Sequence, residues 1–151
     1  MPDLLSHLII GLILAEIFNI RKKSLVALGA ILPDVLAKFD LLIFYLGVPK
    51  IITFDSFHTP FMFFLLSVLI AGLFRYDKVK AIASLNIGSM SEFLSDLMVR
   101  HFNKTGVRLF FPFSLKNYSL AWVWPEQSLY VILPASLFVY LLVIVYKKKR
   151  K

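Results

Sequence analysis

Five side chains of the kinds that bind divalent metals lie in or beside apolar segments of this 151-residue sequence. They are His7, Asp34, His58, Glu92 and Asp96. Imidazole nitrogens and carboxylate oxygens together form a ligand set that zinc accepts and that manganese or iron tolerates. Such a metal lowers the pKa of a bound water to about 7, which makes hydrolysis the expected chemistry. Glu92 shares a helix face with Asp96, and we predict that it is the general base or an additional ligand.

The depths of these residues along their segments favour one common site. Counted from the inner end of each segment at about 1.5 Å per residue, Asp34 lies near ~15 Å and Glu92 near ~16 Å. The same count places His7 at about 20 Å, Asp96 at about 22 Å and His58 at about 24 Å. An uncompensated acid at a bilayer centre costs roughly 2.5–3.5 kcal/mol. Either several of these acids are protonated, or a bound cation neutralises them.

Simpler explanations exist for some of these residues. An intramembrane ion pair with Lys38, one helical turn away, is the alternative explanation for Asp34. A histidine at the end of a span is commonly interfacial. Glu16 is expected to make a structural hydrogen bond. Three further residues are expected outside the site, in solvent or in a loop: Asp40, Asp55 and His101.

The composition indicates which class of protein must position these groups. Apolar residues make up 59% of the chain and charged residues 17%, with a mean hydropathy of +0.79. Soluble domains carry about 45–50% apolar and about 25% charged residues, so a water-soluble globule and a disordered chain are both excluded. The absence of cysteine excludes disulfides, thiolate metal sites and iron–sulfur clusters.

Five apolar segments have about the length that a membrane-spanning helix requires. They are Leu4 to Ile20, Ser24 to Leu46, Thr59 to Phe74, Ala81 to Val99, and Gln127 to Tyr146. The predicted fold is an all-α polytopic membrane helix bundle of about five transmembrane helices, forming a single domain over residues 1–151. The outer segment from Arg100 to Glu126 contains aromatic stretches suited to the lipid headgroup level.

The net charge of +8 is distributed as membrane topology requires. Eleven of the seventeen basic residues form three clusters at the ends of apolar segments: Arg21 to Lys23, Arg75 with Lys78 and Lys80, and Lys147 to Lys151. This pattern favours a membrane over nucleic acid as the partner. It predicts a multi-pass plasma-membrane protein with its N-terminus outside and its C-terminus in the cytoplasm.

The motifs that contain these residues resemble a known family. They are Met1 to His7, Gly29-Ala30-Ile31-Leu32-Pro33-Asp34, Phe57-His58-Thr59-Pro60, Gly88 to Asp96, and Gly106 to Ser114. In order and spacing, these motifs resemble the membrane-bound metal-dependent hydrolases, the YdjM-like, LexA-regulated inner-membrane proteins. The resemblance implies a metal held by His7, Asp34, His58 and Asp96, and the family's remote similarity to zinc-dependent phospholipase C and P1 nuclease suggests phosphoester hydrolysis.

This chain departs from the family pattern at three places. Glu92 stands where the family usually has a histidine, and Leu36 stands where many members have a second acid. Thr53 and Phe54 replace a common histidine–arginine pair. The leading hypothesis is a membrane-embedded hydrolase that uses a divalent metal, most simply zinc, on a lipid or phosphoester substrate. The alternatives are a non-catalytic membrane protein that retains a structural metal or polar cluster, and a small proton- or cation-conducting protein.

Overall fold

The computed structural model describes residues 4–47, 58–100 and 106–150, and these residues form helices without any named strand. The helices are α1 (Leu4–Ile17), α2 (Lys23–Tyr45), α3 (Pro60–Leu73), α4 (Lys78–Met98) and α5 (Pro125–Lys149). A π-helical stretch, Ser128–Ile132, interrupts α5 near its start, before the regular helix Leu133–Lys149. The all-α prediction is confirmed for the described residues, and each predicted apolar segment overlaps one helix.

Local sequence explains where α3 begins and ends and where α4 begins. Pro60 occupies the first position of α3, where its missing amide hydrogen costs no helical hydrogen bond. Asp77 caps α4, because its carboxylate accepts hydrogen bonds from the amides of Val79 and Lys80 at 3.1 and 3.3 Å. The Lys78 ammonium donates to backbone carbonyls at the end of α3, where a positive charge is also favoured by the helix dipole.

The backbones of α2 and α4 touch at the centre of the bundle. A Cβ atom on Gly29 would lie 2.0 Å from the Leu85 carbonyl oxygen, and one on Gly88 would lie 2.1 Å from the Val26 carbonyl oxygen. Only glycine permits so close an approach of two helices at these positions. Around this central pair, α1 packs on both α2 and α4, α3 packs on α4, and α5 packs on α1.

The distribution of polarity is the reverse of that in a water-soluble protein. Among the described residues, twelve buried residues are polar or charged, against eleven buried apolar ones. Large apolar side chains are exposed along the outer surfaces of the helices, including Leu69 and Leu73 on α3 and Phe138 on α5. Proteins rarely bury acids without partners, so the buried carboxylates are the feature of this interior that needs a physical explanation.

Within the described residues, one helix is both long and apolar enough to cross a membrane. It is α5, Pro125–Lys149. Helices α1 and α3 are apolar but have 14 residues each, fewer than the roughly 17–25 that a complete crossing takes. Helices α2 and α4 have sufficient length but contain charged residues, among them Asp34, Lys38 and Glu92. Helix length and composition therefore support one membrane crossing and leave the predicted five-span architecture unsupported.

The described part of the outer segment, residues 106–124, binds back onto the end of α4. The amides of Leu120 and Trp122 donate to the carbonyls of Leu97 and Met98 at 2.7 and 2.9 Å. Val107 enters the apolar core beside Phe93, whereas the side chain of Phe113 is 89% exposed. The segment thus covers the end of the bundle that includes the last turn of α4.

The three basic clusters meet at the other end of the bundle, which we call the basic end. Lys22, before α2, lies 4.2 Å above the ring of Tyr76, in the turn before α4. Lys147, near the end of α5, donates to the backbone carbonyl of Glu16 at the end of α1. Segments far apart in sequence therefore place their positive charges on one face of the molecule.

Candidate metal centre

Four side chains from three parts of the chain converge near the end of the bundle opposite the basic end. Asp34 comes from the middle of α2, His58 precedes α3, and Glu92 and Asp96 lie one turn apart on α4. Each offers one ligand atom, and these four atoms all lie within 4.8 Å of one another. Nitrogen and oxygen donors gathered this closely match the chemistry of a zinc, manganese or iron site.

His58 links the two acids of α4. Its Nε2 lies 2.9 Å from Oδ2 of Asp96, at hydrogen-bonding distance, and its Nδ1 lies 3.3 Å from Oε1 of Glu92. The Phe93 ring meets the imidazole edge to face at a centroid distance of 5.4 Å, and Phe63 packs in turn against Phe93. This aromatic support fixes the plane of the imidazole, as a ligand position requires.

His7 extends the cluster towards α1. Its Nε2 lies 3.6 Å from Oδ1 of Asp96, and its side chain is completely buried. His7 does not belong to the group of four whose ligand atoms lie within 4.8 Å, but it contacts a member of that group. The structure therefore brings the five predicted residues together as a core of four with His7 beside it.

Several buried polar atoms of the cluster have no hydrogen-bond partner within the described residues. These are both carboxylate oxygens of Glu92, Oδ1 of Asp34 and both ring nitrogens of His7. Leaving a buried polar atom unsatisfied costs about 1–3 kcal/mol, and more for a charged group. Asp34, Glu92 and Asp96 are all at most 1% exposed. A cation between Asp34 and Glu92 would satisfy their carboxylate oxygens together, so the residues fit a metal.

Lys38 is the lysine that the sequence places beside the site. Its Nζ lies 3.4 Å from Oδ2 of Asp34, so the expected ion pair is present. The other oxygen of Asp34 remains available to a ligand, and the Lys38 side chain is 42% exposed. The ion pair and a metal site at Asp34 are thus compatible, because they use different oxygens.

The contact between α2 and α4 explains why acids distant in sequence meet. Asp34 lies a little over one turn beyond Gly29, and Glu92 lies one turn beyond Gly88. Since these glycines bring the two backbones into contact, the acids that follow them face each other across the same helix pair. The glycines therefore belong to the framework of the site although neither offers a ligand.

Glu16 lies apart from the site and has its own partners. Its carboxylate pairs with Lys23 and with Lys147, whose Nζ lies 3.4 Å from Oε2. The sequence suggested a structural hydrogen bond for Glu16 but gave no partner, because Lys147 is 131 positions away. Other residues considered from sequence lie outside the described part of the chain: Thr53, Phe54, Asp55, Phe57, His101 and the side chain of Asp40.

Comparisons with known proteins add no relative. No family model, no curated protein and no solved structure matches this chain. The resemblance to membrane-bound metal-dependent hydrolases stays a prediction from short motifs.

Proposed function

We propose that this protein is a polytopic membrane hydrolase that uses a divalent metal, most simply zinc, to cleave a lipid or phosphoester substrate. The observation that carries the proposal is the group Asp34, His58, Glu92 and Asp96, with four potential ligand atoms within 4.8 Å. Ionisable residues inside a membrane domain are costly and commonly mark functional sites. The motifs that resemble the metal-dependent hydrolases contain the same residues.

The surface of the bundle supports its placement in a membrane. Exposed apolar side chains on α3 and α5 suit lipid, while the buried acids require shielding from it. Helices α1 and α3, at about 21 Å each, are shorter than a hydrocarbon core of about 30 Å, so we propose that the bilayer thins locally beside them. The shared basic end supports a cytoplasmic C-terminus and an outer metal centre.

Each residue of the cluster would have its own role in the proposed reaction. Asp34, His58 and Asp96 would hold the metal, and His7 would orient Asp96 from behind. A bound metal would supply an activated water for attack on the substrate. Glu92 would accept the proton of that water, since both of its oxygens are buried without a hydrogen-bond partner among the described residues. Lys38, half-exposed beside Asp34, would attract an anionic substrate.

Metal analysis tests this proposal directly. Protein purified in detergent and dialysed against trace zinc should retain about one zinc per chain. The double variant His58→Ala, Asp96→Asn should lose it, whereas Glu126→Gln, which changes an exposed acid outside the cluster, should not. Zinc-dependent hydrolysis of phosphodiester and phospholipid substrates should follow the metal content. Absence of stoichiometric metal in the parent protein would contradict the proposal.

One geometric feature favours a second candidate function, a non-catalytic membrane protein with a polar cluster. Each ring nitrogen of His58 faces a carboxylate, and Asp34 is paired with Lys38, so a protonated His58 would compensate two acids. This candidate predicts that added zinc leaves the melting temperature unchanged. The hydrolase proposal predicts a rise, because a metal that binds only the folded state stabilises it.

A further inference from the structure

A pocket of about 660 Å³ opens at the basic end, between the turn that joins α1 to α2 and the turn that joins α3 to α4. Its polar wall is formed by Arg21, Lys22, Tyr76, Asp77 and Lys80. Apart from Asn19 and Ser84, the other lining residues are apolar, among them Leu25 and Ile87. The pocket is therefore basic at its rim and apolar at its base, and none of its residues belongs to the candidate metal centre.

Some of the charged side chains around this pocket have a partner within the fold, and one has no ion pair in the described structure. Lys80 pairs with Asp77 at 3.0 Å, and Lys22 lies over the ring of Tyr76. Arg21 lines the pocket but forms no ion pair within the described part of the chain. Three positive groups thus face one negative group, which leaves a net positive site with one guanidinium available to a ligand.

A second pocket, of about 470 Å³, adjoins the first and shares Arg21 with it. Its wall includes Lys23, Lys147 and Lys148, with Glu16 as the acid. Lys148 comes from the last turn of α5, the helix long and apolar enough to cross a membrane. The shared Arg21 therefore lies at the level where α5 would leave the hydrocarbon.

We propose that these two adjoining pockets together bind the headgroup of an anionic phospholipid from the cytoplasmic leaflet. The guanidinium of Arg21 suits a phosphate oxygen pair, because its planar donors match phosphate geometry. The ammonium of Lys22 adds charge, and the apolar base of the pocket suits the glycerol and the first part of the acyl chains. Basic pockets beside membrane helices bind anionic headgroups in this way. The proposal rests on the crossing of α5 and does not depend on the metal centre.

Lipid retention tests the proposal. The intact protein is purified in detergent, exposed to equal amounts of phosphatidylglycerol and phosphatidylcholine vesicle lipid, and analysed by native mass spectrometry. Phosphatidylglycerol should be retained in preference to phosphatidylcholine. The variant Arg21→Gln, Lys22→Gln should weaken this retention by about fivefold per residue, the factor equivalent to about 1 kcal/mol for each base near a membrane surface.

The matched control removes the same two residue types elsewhere. Arg108→Gln, Lys116→Gln lies in the outer segment and should retain phosphatidylglycerol as the parent does. Arg21→Gln alone serves as a second variant, because Arg21 has no ion pair in the described structure whose loss would disturb folding. Equal retention of the two lipids, equal loss in the control, or full displacement of the lipid by millimolar inorganic phosphate would overturn the proposal.

Discussion

Two buried acidic sites lie at opposite ends of this bundle, and they differ in how their charge is compensated. At the basic end, Glu16 is 7% exposed and contacts both Lys23 and Lys147. At the other end, Asp34, Glu92 and Asp96 are at most 1% exposed. The described structure places one lysine beside these three carboxylates, Lys38. Both sites are buried, and they differ in the number of lysine side chains beside each carboxylate.

The two sites differ in the lysine side chains that reach them because of their depth. Glu16 lies at the end of α1, where long lysine side chains can reach an acid while their own stems remain on apolar surface. The carboxylates of α2 and α4 lie further inside, and among the described lysines Lys38 alone reaches one of them, Asp34 on its own helix. The chain therefore completes the Glu16 cluster by itself, while carboxylate oxygens of the deeper cluster have no hydrogen-bond partner among the described residues.

Disrupting the contact between α2 and α4 should give the largest difference in effect between the two sites. In Gly88→Ala the new methyl group would lie 2.1 Å from the Val26 carbonyl oxygen, so one helix backbone must move. We expect a loss of about 3 kcal/mol in the free energy of unfolding, together with loss of zinc binding. The Glu16 cluster should persist, because it joins α1 to α5 and to the start of α2.

The control for this variant is Gly72→Ala in α3, where a Cβ atom would meet nothing within 4 Å. It should change the melting temperature in detergent little. If Gly88→Ala kept both the parent's stability and its metal content, the contact would not hold the acids together.

Removing one acid from each site should change stability in opposite directions. Glu16→Gln deprives two lysines of their partner and should destabilise the protein by about 1–2 kcal/mol, a modest loss because both lysines are partly exposed. Glu92→Gln removes one of three crowded carboxylates and should stabilise the metal-free protein by about 1–2 kcal/mol. The same substitution should abolish hydrolysis, because it removes the proposed base.

Melting temperatures in detergent, measured with chelator and with zinc, would test this pair. The parent protein should gain stability from zinc, and Glu92→Gln should gain less. Glu16→Gln should respond to zinc as the parent does. A loss of stability in metal-free Glu92→Gln equal to that of Glu16→Gln would show that both acids are structural.

The sequence predicted the helical segments well because apolar runs and their charged ends are local features. Each of the five segments overlaps one helix, although α1 ends at Ile17 rather than at Ile20 and α4 begins at Lys78 rather than at Ala81. The number of membrane crossings was harder to predict. A run such as Leu4 to Ile20 counts as apolar over its whole length, whereas the helix formed within it has 14 residues.

The candidate site could be predicted in its residue types but not in its detailed contacts. The spacing of Glu92 and Asp96 on one helix and the short distance between Asp34 and Lys38 are local, and both are realised in the structure. The position of His58 between two carboxylates depends on packing against Phe93, which has no sequence period. The partnership of Glu16 and Lys147 joins the two ends of the chain, so no local pattern indicated it.

Replacing Asp77, an exposed acid at the basic end, should give the smallest effect. It provides a reference against which the effects at the two buried sites can be compared. Hydrogen bonds from Lys80 hold the pKa of Asp77 below its usual value of 3.8. Because the folded-state pKa is lowered, ionised Asp77 stabilises the fold above the unfolded value, and this contribution is lost as the pH falls through the folded value. Asp77→Asn keeps a capping residue while removing the charge. Its melting temperature should fall slightly below the parent's at pH 7 and converge with it in acid. A difference in melting temperature that is the same at every pH would assign the effect to cap geometry. Convergence in acid would show that the lost stabilisation came from the charge of Asp77 beside Lys80.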